Sequence, residues 1–139
     1  MPKLDLNDIS DALKQIDICM MTTQTVDGTL ESRPMSNNKD VDFDGDCYFF
    51  TLEEFSVCED IESNPSVNLA YIGEDHFYIS LIGEARLSQD EDEMADHWVE
   101  DLEVWFKDGL ETEGLTLVHV KSSKIKYWKD MEEGVLDID

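Results

Sequence analysis

The chain has 139 residues, with 34 Asp and Glu against 10 Lys and Arg, a net charge of -24 and a pI near 4.1. That length suits one domain spanning 1–139, since a chain of this size buries roughly two-thirds of its unfolded surface. The charge argues against nucleic acid and anionic membrane surfaces as partners, because binding there rests on Lys and Arg neutralising phosphates.

In chain order, Asn7 or Asp8 can cap a first helix whose Ile9, Leu13 and Ile16 make one apolar stripe. Ile18 to Thr25 reads as a strand, Asp27-Gly28 as a turn and Leu30 to Ser36 as the returning strand of a hairpin. Asn37 to Asp46 is a polar, Asp-rich loop, followed by a short buried strand, Cys47 to Thr51. A helix from about Ser56 to Ser63 ends before Asn64-Pro65. Val67 to Ile72 and Phe77 to Leu87 form a second hairpin.

Ser88-Gln89-Asp90-Glu91 matches a capping box. The helix it opens is expected to carry Met94, Trp98, Leu102 and Trp105 on one face and to end at Gly109. Leu115 to Val120 and Ile125 to Trp128 read as the last two strands, with Lys121-Ser122-Ser123-Lys124 between them, and Glu132 to Asp139 as a loose tail. Seven or so short, mostly hairpin-linked strands with helices outside them predict a mainly β fold, a small antiparallel barrel.

No apolar run approaches the ~20 residues of a membrane span. The opening Met1-Pro2-Lys3-Leu4-Asp5 leads into an acidic amphipathic segment rather than a secretory signal, so a cytoplasmic location is expected. Acidity spread along the chain favours solubility at the cost of self-repulsion, which a salt-rich interior would screen. Cys19, Cys47 and Cys58 lack metal or redox spacing and are expected to be buried, reduced thiols.

Arg33 is one of only two arginines and sits in Ser32-Arg33-Pro34-Met35, ahead of the aromatic run Tyr48-Phe49-Phe50-Thr51. A guanidinium is suited to clamping phosphate and an aromatic strand to seating a flat ring. Together they suggest a phosphorylated cofactor, although by composition alone a surface ion pair with one of many carboxylates is the commoner role for such an arginine. Asp40-Val41-Asp42-Phe43-Asp44-Gly45 opens like a calcium loop, but its twelfth position is Thr51 and a strand follows the glycine, so a polar turn is expected. Glu93, His97 and Glu100 share a helical face by spacing, without a second histidine motif to make a metal site.

The ordered set of Met20-Met21-Thr22-Thr23, Asp27-Gly28, Ser32-Arg33-Pro34-Met35, Asp44-Gly45, Phe49-Phe50-Thr51, Asn64-Pro65, Val67 to Tyr71 and Tyr127-Trp128 resembles one known family. It is the general stress protein 26 family of the pyridoxamine 5'-phosphate oxidase-like, FMN-binding split barrels, and the similarity runs from about Asp8 to Lys129. The resemblance implies an antiparallel split β-barrel and a homodimer with FMN at the subunit interface. On the family pattern Ser32 and Arg33 approach the phosphate, Pro34 and Met35 border the flavin, and Phe49, Phe50 and Thr51 line its ring. Trp105 and Trp128 would approach from the partner subunit.

One departure stands out. Relatives usually follow the aromatic strand with a segment resembling Asp-Ser-Pro-Lys-Val, whose serine and lysine bind the phosphate. Without gaps, those two positions are Phe55 and Val57. Losing such a charge-assisted contact costs about 1.5–3 kcal/mol, on the order of ten- to a hundredfold in affinity. Lys121, Lys124, Lys126 and Lys129 crowd into nine residues, either to compensate at a dimer groove or to protect a strand from aggregation. The resemblance thus implies an FMN-binding protein of the general stress type, with flavin-dependent oxidoreductase activity as one reading. A non-catalytic module for flavin or another small ligand is the second reading. An acidic divalent-cation-binding protein is the third.

Overall fold

A computed structural model describes residues 4–37 and 43–138. Asp5 opens α1 (Leu6–Leu13) through a reciprocal cap, in which its carboxylate accepts from the Asp8 N–H at 2.9 Å and Asp8 accepts from the Asp5 N–H at 3.0 Å. The cap therefore precedes the expected Asn7 or Asp8, because Asp8 serves as the second member of the capping box. Ile9, Leu13 and Ile16 are buried as the apolar stripe requires.

The strands β1 (Ile18–Gln24) and β2 (Leu30–Ser36) form the first hairpin, turning at Gly28 with φ +88. Next come β3 (Asp46–Leu52), α2 (Ser56–Ser63), β4 (Ser66–Ile72) and β5 (Phe77–Ser88). After α3 (Glu91–His97) the chain runs through two 3-10 turns, Glu100–Val104 and Gly109–Glu111, into β6 (Leu115–Lys129) and β7 (Glu132–Asp137).

All pairings are antiparallel, in the order β2-β1-β4-β5-β6-β3, with β7 also on β6. Strand β6 has β5 along one side, while its other side takes β3 opposite 115–121 and then β7 opposite 124–129. The sheet does not close, for no ladder joins β2 to β3 among the described residues. The result is the antiparallel split barrel that the sequence led us to expect.

Three further local expectations are corrected. Lys121-Ser122-Ser123-Lys124 is not a turn: β6 runs straight through it, and the irregularity falls on the opposite strand as a register shift at Ile82/Gly83. There Gly83 lies so close to the Lys121 carbonyl that any Cβ would collide with it. Residues 132–137 are no loose tail but a strand, joined to β6 by Asp130 and Met131, both at positive φ as a tight two-residue hairpin turn demands.

The third correction concerns the helix after Asp90. It stops at His97, because Trp98 and Val99 are extended, and Asp90 rather than Ser88 caps it by accepting from the Glu93 N–H at 3.0 Å. Met94 and Leu102 still reach one small core with Phe50, Leu115 and Leu117, but from two separate helical stretches. The principal core lies on the sheet's inner face, where Met21, Leu69, Leu81, Val120 and Ile125 are fully enclosed.

All three cysteines are free and buried. Burial pushes the thiols of Cys19 and Cys47 up to about 12, against the opposing effect of a hydrogen bond with Tyr71.

Candidate functional site

The margins of the open sheet, β2 and β3, flank a cavity of about 330 Å³. From β2 it is bordered by Pro34, Met35 and Ser36, and from β3 by Phe50, Thr51 and Leu52. Ile18, Phe55, Trp105 and Phe106 complete it. Phe55 is there because it occupies the N-cap of α2, where no side-chain hydrogen bond caps the helix.

A second cavity of about 370 Å³ shares Ile18, Ser36, Phe50 and Trp105 with the first and extends along Tyr48, Phe49, Val99 and Leu102. Its polar border is Asp17, Asn37, His97 and Asp101. Each volume lies at the small end of the range of small-molecule sites, about 300–1,000 Å³. Trp98 meets Phe50 edge to face, ring centroids 5.1 Å apart, and so fixes the wall shared by the two cavities.

Of the residues singled out from sequence, the structure gathers Pro34, Met35, Phe49, Phe50, Thr51 and Trp105 around these cavities. Phe49, at 1% exposure, belongs mainly to the core behind them, and Trp105, at 63%, stands in the open. Ser32, Arg33 and Trp128 border neither cavity. Ser32 shares a 2.7 Å hydrogen bond with Thr22, and Trp128 stands on β6 between Tyr78 of β5 and Glu133 of β7.

Arg33 turns to the inner side of β2. Its Nη1 donates to the Thr23 Oγ1 at 2.8 Å and to the Met21 carbonyl at 3.3 Å, and its Nη2 donates to Asp60 at 3.3 Å. Asp60 is 3% exposed and also accepts from the Thr23 hydroxyl at 2.9 Å. Val57, at one of the two positions where a phosphate contact is expected, is 3% exposed and part of the core.

Within one chain the lysine cluster lies away from both cavities. Lys126 pairs with Glu133 at 2.8 Å and overlies Trp128, Lys129 overlies Phe77, and no lysine borders either cavity among the described residues.

Sequence reading missed the stack around Tyr48. Its ring lies face to face with His97 on one side and with His119, at 4.7 Å, on the other. His119 Nε2 meets Asp46 at 2.9 Å, while its Nδ1 is buried without a hydrogen-bond partner. Burial, then the charges of Asp46 and Asp44, raises the Tyr48 phenol above its ordinary range. The signal was available only through register, which sets His119 directly opposite Tyr48.

Glu93 and His97 do not form a metal site with Glu100. Glu93 is gripped by both Arg86 nitrogens, at 3.1 and 2.5 Å, and that hydrogen bonding lowers its carboxyl to about 2. No cluster of three or more His, Cys, Asp or Glu suited to a metal occurs among the described residues. Residues 40–42 of the calcium-like loop lie outside them; in the remainder, Asp44 accepts from the Asp46 N–H at 3.1 Å, as in a polar turn.

An open antiparallel sheet with an aromatic-lined cavity between β2 and β3 defines a split barrel. The pyridoxamine 5'-phosphate oxidase-like family model matches residues 5–137, and the chain belongs to that family.

Solved structures agree on the fold. A Clostridium acetobutylicum protein related to general stress protein 26 superposes with a TM-score of 0.84 at 16% identity, covering 98% of each chain. General stress protein 26 from Bacillus anthracis gives 0.75 at 23% identity over 94% of this chain and 95% of that one. The general stress FMN/FAD binding protein of Xanthomonas citri gives 0.77 at 20% identity over 96% and 94%. A comparison with curated proteins finds no match. No helix among the described residues is long and apolar enough to cross a membrane.

Proposed function

We propose that residues 1–139 form one flavin-binding domain of the general stress protein type, working as a cytoplasmic homodimer. The observation that carries this reading is the groove between β2 and β3, whose Pro34, Met35, Phe50, Thr51 and Trp105 offer apolar walls to a planar ring. A structural neighbour named as an FMN/FAD binding protein supports the choice of flavin, with FMN the form expected from the resemblance.

The residues present fit the isoalloxazine ring, which needs apolar surfaces and a few hydrogen bonds. When bound, the flavin supplies electron transfer, and the chain orients it and excludes water. A second copy of the chain fits the outer sheet face, where Met20, Ile72, Tyr78 and Ile82 are all more than a third exposed on adjoining strands. Trp128 lies on that face beside Tyr78, which supports a role for it at the subunit contact.

A second reading, a module that holds flavin without catalysing turnover, is favoured by the engagement of Arg33 with Asp60. The absorption spectrum of the purified protein, followed by FMN titration, tests the common part of both. Saturable binding with a perturbed flavin spectrum is expected, and no saturation at millimolar FMN would remove the flavin reading. Reduction of the bound flavin by NADH or NADPH then separates oxidoreductase from carrier.

A further inference from the structure

We infer that this site selects a flavin by its ring and not by its phosphate, because Asp60 already holds the arginine that an anion would need; the inference rests on the flavin reading above. Asp60 is a carboxylate buried to 3% exposure, and its charge is compensated by Arg33 at 3.3 Å. Drawing the guanidinium away toward a phosphate would leave that charge buried and uncompensated, which is costly. The pair as it stands is neutral, and Glu31 at 4.0 Å from the same Nη2 adds a further negative charge.

Two other features point the same way. Val57 lies in the core and Phe55 caps α2 without a hydrogen-bonding side chain, so the start of this helix offers a ligand neither ammonium nor hydroxyl from those positions. Among the described residues, the charged side chains bordering the two cavities are carboxylates, Asp17 and Asp101. Among the described residues of one chain, a phosphate dianion therefore meets no uncommitted cation there. The ligand class is the flavin ring system, with riboflavin and FMN held alike.

Titration of the full chain with riboflavin and with FMN at fixed ionic strength, followed by flavin fluorescence, tests this. Dissociation constants within about threefold of each other are expected, and FMN more than about tenfold tighter would overturn the inference while leaving the flavin reading intact. Asp60→Asn removes the competing charge while keeping a hydrogen-bonding group, and should shift the preference toward FMN by about tenfold. An unchanged preference in that variant would overturn the role given to Asp60. The wild-type comparison needs no variant and decides the phosphate question by itself. Absence of binding by both ligands would overturn the inference by removing the flavin reading beneath it, a result distinct from tight, FMN-selective binding.

Discussion

The Tyr48 ring lies 3.5 Å from that of His97 and within 10° of parallel. Through this contact the last turn of α3 is fastened to β3, beside the larger cavity. An aromatic contact of this kind is worth about 0.5–1.5 kcal/mol. His97→Ala should lower stability by that amount in urea unfolding, and amide exchange should quicken in α3 more than in β6.

Trp105 and Trp128 should separate two properties. Trp105→Ala removes a wall of both cavities and is expected to weaken flavin binding by about tenfold, as the loss of one aromatic contact to the ligand allows. Trp128→Ala should weaken self-association in sedimentation velocity. Equal effects of both on ligand affinity would contradict this division.

Val57→Lys might look like the restoration of a phosphate contact, but Val57 is enclosed by the core. Burying an ammonium there should cost about 2–4 kcal/mol, read as a lower urea midpoint at constant slope. A variant as stable as wild type with tighter FMN binding would refute that expectation.

Acid stability should carry the mark of Arg86 and Glu93. The Glu93 carboxyl is lowered from 4.5 to about 2, chiefly by hydrogen bonding to Arg86. The pair's contribution is therefore fully present above about pH 4.5 and lost as pH falls through about 2. In Arg86→Gln the Tm deficit relative to wild type should be constant at neutral pH and vanish toward pH 2; both side chains are solvent-accessible, so it should be small.

Cys19 and Cys47, with thiols near 12, should resist alkylation by iodoacetamide at pH 8 in the native protein and react on unfolding. Rapid native labelling, resolved by peptide mass spectrometry, would show that the core opens more readily than its packing implies.

Much of the fold was legible because alternating apolar residues and Gly-containing turns specify strands locally, as in Ile18–Gln24 and Leu30–Ser36. The end of α3 was not, because Met94, Trp98, Leu102 and Trp105 keep a helix-like spacing that two helical stretches with an extended joint between them satisfy equally well. Strand β7 was hidden by its acidic, Gly-interrupted composition; only pairing with β6 makes Glu132–Asp137 a strand.

Pro34, Met35, Phe50 and Thr51, which the resemblance picked out, border the cavity between β2 and β3. The partner of Arg33 was not legible, since nothing local distinguishes Asp60 from 33 other acidic residues until α2 is laid against β1.

The gap between β2 and β3 has an evolutionary consequence. Paired strands are held about 4.8 Å apart by their hydrogen bonds, whereas no ladder joins these two margins among the described residues. Substitutions at Met35, Phe50 or Phe55 can therefore retune the width of the slot without breaking a ladder. A lineage built on this frame can change what the slot admits while its scaffold stays the same.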